Sequence, residues 1–241
     1  MRNLLFFLLL FSITKLTNSQ QTVTFQAADG VTVTADRYVV STQKPYLILL
    51  HQAGYSRGEY RETAPKLANL GFNCLAVDLR SGNEVNFVRN RTALDAIEKG
   101  KPNHFLDAQQ DIVAAINYVA SLTQKSIVLV GSSYSASLAL VEATNNFKVK
   151  AVVVFSPGEY FGDELVIKEA TKMLYVPVFA TSSKLEFPVM KEMLNHLRPQ
   201  HLNLFEPSTE GVHGSRALWE SNPNNSEYWM ALTQFFSNLK F

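Results

Sequence analysis

Residues Gly131-Ser132-Ser133-Tyr134-Ser135-Ala136-Ser137 follow directly on the apolar run Ile127 to Val130 and lead into a helix-length stretch. A serine held on a sharp turn between a strand and a helix stands clear of the sheet. Its hydroxyl can then attack an electrophilic carbon such as an acyl carbonyl. Such a turn needs small residues two before and two after the serine, because both pack against neighbouring backbone. Centring on Ser133 puts Gly131 and Ser135 there, whereas centring on Ser132 would place bulky Val130 and Tyr134 at the crowded positions. Centring on Ser135 is sterically permitted but carries the nucleophile farther into the helix. Ser135 departs from the second glycine of G-x-S-x-G, and the same residues also suit a plain helix-capping loop with Ser133 or Ser135 as N-cap.

Other chemistries lack a motif. There is no H-E-x-x-H, no EF-hand loop, no G-x-x-x-x-G-K-[ST] and no G-x-G-x-x-G, so neither a metal nor a nucleotide cofactor is expected. The lone cysteine, Cys74, excludes an intramolecular disulfide and a C-x-x-C site, and its apolar neighbours mark it as a core residue. Lys and Arg number 22 against 21 Asp and Glu, which offers no basic excess for a nucleic acid.

The serine turn needs a sheet to project from. Short, nearly continuous apolar runs occur at Tyr46 to Leu50, Phe72 to Val77, Ile127 to Val130, Ala151 to Phe155, Val176 to Ala180 and Leu202 to Phe205. Continuous apolarity is what parallel strands buried on both faces require. Between them lie helix-length stretches near Tyr60 to Leu70, Phe105 to Leu122, Ala136 to Asn145, Val189 to His196 and Glu227 to Leu239. Ahead of them, alternating residues on both sides of Asp29-Gly30 predict an antiparallel hairpin. The expected fold is therefore α/β, a three-layer sandwich with a mostly parallel central sheet and an N-terminal hairpin, built as a single domain over residues 20–241. Leu79 to Asn103 reads as a long loop with a short helix in it.

Residues 1–19 read as a secretory signal, with Arg2, an apolar run from Leu4 to Ile13, and a polar exit in which Thr17 and Ser19 suit cleavage before Gln20. The run is too short to span a bilayer, and export as a soluble, secreted protein without a membrane anchor is the expectation. Sequons occur at Asn90 and Asn224.

Together, His51-Gln52-Ala53-Gly54 after the third strand, Gly71 through Arg80, the serine turn and Gly211-Val212-His213-Gly214 resemble the α/β-hydrolase superfamily. The likeness is to its small dienelactone-hydrolase-like and esterase-like members without a large lid, over nearly all of the mature chain. The resemblance implies cofactor-free hydrolysis of a small-molecule ester, with thioesters and small amides also open, through a triad in the chain order Ser, Asp/Glu, His. His51 and His104 precede Ser133, His196 falls in a predicted helix and His201 enters a predicted strand. His213 lies in a glycine-flanked loop after the last strand and is the implied base. Glu186, after the strand Val176 to Ala180, is the implied acid. Glu159 or Asp163, after the preceding strand, is the alternative, and Glu186 would otherwise be an ordinary first-turn helix carboxylate. The implied oxyanion donors are the backbone N–H groups of Tyr134 and Gln52. His51 would brace its loop, and Asp78 either braces the loop after the fourth strand or is a plain turn residue. The rival reading is a catalytically silent hydrolase fold used as a binding module.

Overall fold

The structure, a computed structural model, describes residues 20–240; the expected export segment, residues 1–19, lies outside the described residues. The strands are β1 (Gln20–Gln26), β2 (Thr32–Tyr38), β3 (Tyr46–Leu50), β4 (Asn73–Val77), β5 (Glu84–Val85), β6 (Val88–Arg89), β7 (Ile127–Ser132), β8 (Val149–Phe155), β9 (Val178–Thr181) and β10 (Leu202–Phe205). The helices are α1 (Thr63–Asn69), α2 (Arg91–Glu98), α3 (Gln109–Leu122), α4 (Tyr134–Asn145), α5 (Ile167–Ala170), α6 (Phe187–Met193) and α7 (Asn225–Asn238). Eight strands form one sheet in the order β1-β2-β4-β3-β7-β8-β9-β10. β1 and β2 pair antiparallel, as do β2 and β4, and every other pairing in that sheet is parallel.

The apolar runs become central strands because the sheet is covered on both sides. In β3, Tyr46, Ile48 and Leu50 enter one core, while Leu47 and Leu49 enter the other. β8 does the same, with Val152 and Val154 on one face and Ala151, Val153 and Phe155 on the opposite one. Each fully buried leucine or isoleucine contributes about 2 kcal/mol from burial. The first core is roofed by α3 and α4 through Ile112, Ile116, Leu138 and Ala139, the second by α1 and α7 through Leu67, Tyr228, Leu232 and Phe235. The result is the expected three-layer α/β sandwich. β3 runs out to β4 on one side and neighbours β7 on the other, so the loops leaving their carboxyl ends bound the crevice in which such sheets bind ligands.

Differences from the expected boundaries have local causes. The stretch Tyr60 to Leu70 divides into a 3-10 turn, Arg57–Tyr60, and α1, whose Pro65 falls in the first turn where its missing N–H is harmless. β9 begins at Val178 rather than Val176 because Pro177 offers the ladder only a carbonyl, which accepts from Val152 N–H at 2.9 Å. Within Leu79 to Asn103, β5 and β6 form a tight hairpin around Asn86 and Phe87, both at positive φ, before the expected short helix α2. Asn90 caps α2 by accepting from Ala93 N–H at 2.8 Å, and its amide donates to the Leu79 carbonyl at 2.8 Å. A glycan on this buried amide would unpair it.

Two arginines tie the N-terminal half together. Arg57 meets Asp36 at 3.0 Å and Asp78 at 2.6 Å. Arg80, fully buried, meets Asp29 of the β1–β2 turn at 2.7 Å and Asp111 of α3 at 2.8 Å. Cys74 is a buried core residue, and burial pushes its thiol pKa far up.

Candidate active site

β7 ends at Ser132 and α4 begins at Tyr134, which leaves Ser133 as the hinge at φ 60 and ψ −128. A serine at positive φ is strained, and it is held there by its surroundings. Its N–H still bonds to the Phe155 carbonyl at 2.8 Å, so the sheet grips the turn up to the serine itself. Gly131 is obligatory, because a Cβ there would lie 2.4 Å from the Ala136 Cα. On the other flank the Ser135 hydroxyl accepts from Ser132 N–H at 3.1 Å and reaches the Leu50 carbonyl at 2.8 Å. Serine in place of glycine thus stitches the turn closed. Ser133 makes no side-chain cap bond, against the plain-capping alternative, and its hydroxyl neighbours that of Tyr160.

The loop after β10 passes directly over this turn. Gly214, at φ 71, leaves so little room that a Cβ would meet Ser132 Oγ at 2.6 Å and Gln52 Oε1 at 2.8 Å. Its neighbour His213 points Nδ1 at Glu186 Oε1, 2.5 Å away. Glu186 Oε2 accepts from Ser156 Oγ at 2.8 Å, Ser183 Oγ at 2.7 Å and Ser183 N–H at 3.1 Å. Burial alone would raise the Glu186 pKa, but hydrogen bonds from His213, Ser183 and Ser156 outweigh it and hold the carboxyl down at about 2. A carboxylate accepting from Nδ1–H leaves the imidazole Nε2 free to take a proton. Glu186 stands at the start of α6 yet makes no cap bond, so it is not an ordinary helix-end carboxylate.

The alternative acids are elsewhere. Glu159 accepts from Ile167 N–H at 2.6 Å and Lys168 N–H at 2.9 Å, capping α5, and Asp163 is exposed on a 3-10 turn. His196 meets Thr171 Oγ1 at 3.0 Å, away from the serine loop.

One expected donor is corrected. The Gln52 N–H cannot serve an oxyanion, because it already donates to Glu59 Oε2 at 2.7 Å. The next amide, Ala53 N–H, has no hydrogen-bond partner among the described residues. Tyr134 N–H, the first of α4, is likewise without an intrahelical acceptor. Asp78 braces its loop, accepting from Arg57 N–H and Arg91 N–H, each at 2.8 Å.

His51 is a brace too. Its Nε2 accepts from Leu79 N–H at 2.8 Å, so Nδ1 carries the proton and donates to the Gln52 carbonyl at 2.8 Å. Burial pushes its pKa down to about 4 from 6.5. Between those values the unfolded chain binds a proton that the folded chain refuses, so stability falls as pH drops through the window. The loss should be on the order of 3 kcal/mol. Denaturant melts of the wild type on either side of the window should show it, and His51→Asn, which keeps one donor and one acceptor, should flatten the slope. A wild type equally stable on both sides would contradict this account.

Two clefts are both lined by Tyr160, the residue whose hydroxyl neighbours that of Ser133. One, of about 620 Å³, runs from Gly54 past Ser81, Phe105 and Phe161. The other, of about 430 Å³, is bounded by Pro157, Leu185, Glu186, Val189 and Met193.

The Dienelactone hydrolase family matches residues 30–201 of this sequence. The chain belongs to that family. This dienelactone hydrolase family member has the α/β-hydrolase fold, and a hydrolase function follows from its membership at that coarse level. It is similar in structure to an esterase of Pyrococcus furiosus, at 16% identity and TM-score 0.67, over 91% of this chain and 90% of that one. A dienelactone hydrolase from Anabaena variabilis aligns at 15% identity and TM-score 0.69, over 92% and 99%. An esterase domain from a Rhodothermus marinus protein aligns at 12% identity and TM-score 0.62, over 90% and 97%. No curated protein matches this family member in sequence. Among its described residues no helix is long and apolar enough to cross a membrane.

Proposed function

We propose that this chain is a secreted serine hydrolase that cleaves a small-molecule ester through an acyl-enzyme on Ser133. The observation that carries the reading is the Glu186–His213 pair, closed at 2.5 Å in the loop that passes over a strained serine turn. In this scheme His213 Nε2 takes the Ser133 proton as Oγ attacks the acyl carbon. The developing oxyanion is met by the N–H groups of Tyr134 and Ala53. Collapse of the tetrahedral intermediate expels the alcohol, which takes the proton from His213, and water then repeats the sequence to release the acid. Each oxyanion donor is worth about 10²- to 10³-fold in rate. Export belongs to the same proposal and rests on the composition of residues 1–19.

A fluorophosphonate probe tests the constellation without the natural substrate, since it reacts only with a serine that a base and an oxyanion hole have activated. One adduct per chain is expected, mapped by mass spectrometry to Ser133 and absent from Ser133→Ala and His213→Ala. A folded chain that takes no label would favour the silent binding module, and an adduct on Ser132 or Ser135 would place the nucleophile wrongly.

A further inference from the structure

Glu59 is a fully buried carboxylate that the acyl-transfer scheme leaves without a part. It lies in the 3-10 turn Arg57–Tyr60, and three donors converge on it. Oε1 accepts from Ser132 Oγ at 2.7 Å and Ser215 Oγ at 2.6 Å, and Oε2 accepts from Gln52 N–H at 2.7 Å. These donors belong to three separate segments. Ser132 precedes the nucleophile, Ser215 follows His213 by two residues, and Gln52 precedes the oxyanion amide of Ala53. Ser215 N–H donates in turn to Ser132 Oγ at 2.8 Å, closing a ring, and the Trp219 indole donates to the Glu59 carbonyl at 2.8 Å.

A buried charge is a poor route to stability, since well-packed apolar side chains of similar volume often do as well or better. It does fix geometry, because one carboxyl that accepts from three donors holds all three in place, and hydrogen bonds strengthen in a water-free interior. Burial raises the Glu59 pKa on balance, and the donors from Ser215, Gln52 and Ser132 and the nearby Arg216 charge only offset part of that rise. We infer that Glu59 is a positioning residue that sets the nucleophile turn, the oxyanion amide and the histidine loop in register with one another. The inference rests on the Ser133 acyl-transfer reading and adds a residue that never touches substrate.

Glu59→Gln is the direct test. The amide keeps the shape but must turn its NH2 toward at least one of the three donors, which opens that arm of the hub. Measured on a p-nitrophenyl ester and normalised to fluorophosphonate-titrated sites, kcat should fall about 10²-fold. KM should be little changed, since alignment at the reacting atoms matters in the transition state rather than in binding. A variant that melts earlier but keeps the wild-type kcat per titrated site would make Glu59 merely structural and overturn the inference.

If Glu59→Gln does not fold, Ser132→Ala, Ser215→Ala and their double variant decide the matter. Donors sharing one acceptor couple, so the double variant should lose little more than the worse single one. Additive losses, or none, would overturn the inference. A wild type that takes no fluorophosphonate brings down the Ser133 reading and this inference together, whereas a labelled wild type with an unaffected Glu59→Gln brings down this inference alone.

Discussion

Ser133→Ala should lower ester turnover by about 10⁴- to 10⁶-fold, the range for loss of an activated serine whose neighbours remain in place. The fold should survive, because the Ser133 hydroxyl caps no helix and the sheet bond from its N–H to Phe155 is backbone only. Ser133→Gly separates the two roles of the position more sharply. Glycine adopts φ 60 and ψ −128 without the Cβ penalty that serine meets there. The glycine variant should therefore be as inactive as the alanine one yet more stable than wild type, by about 1 kcal/mol net of the backbone entropy that glycine loses. Near-normal turnover in either variant would show that another residue attacks. A glycine variant less stable than wild type would show that the turn is not strained.

Glu186→Gln should cost about 10³- to 10⁴-fold in kcat with the fold intact. The reason lies on the far side of the carboxylate, where Oε2 accepts from two serine hydroxyls and one amide. A glutamine satisfies those donors only by placing its oxygen there, which turns its NH2 toward His213 Nδ1. The imidazole must then accept at Nδ1 and carry its proton on Nε2, where it cannot take one from Ser133. Glu159→Gln should leave turnover near wild type, since Glu159 serves only the start of α5. Steady-state kinetics on the two variants check this. The reverse pattern would move the acid to the loop after β8.

The central strands were legible because burial on both faces writes an unbroken apolar run, as in β3 and β8, and length then separates strand from helix. The serine turn was legible because its steric demand is local: Gly131 and Ser135 are two residues away on either side. His213 and Glu186 are implied by the chain order of the family resemblance, and the fold brings their side chains together. What escaped depends on contacts distant along the chain. Nothing within the sequence His51-Gln52-Ala53 says that the Gln52 amide is claimed by Glu59, because that claim is made only when the next turn folds back. Glu59 itself has partners as far away as Ser215, and no periodicity marks a residue whose neighbours arrive from three segments. The β5–β6 hairpin was missed because two residues per strand carry no alternation to read.

The Arg80 guanidinium, enclosed by Asp29 from the first hairpin and Asp111 from α3, makes the amino-terminal strands integral to the protein rather than a trimming on its edge. A shortened chain that begins beyond Asp29 loses more than the single strand β1. It leaves a fully enclosed cation facing one carboxylate in place of two, directly behind Ser81 and Gly82 on the wall of the larger cleft. Deletion mapping and circular permutation must therefore treat the stretch from β1 to Asp29 as inseparable from the cleft, although it lies more than a hundred residues from Ser133 along the chain.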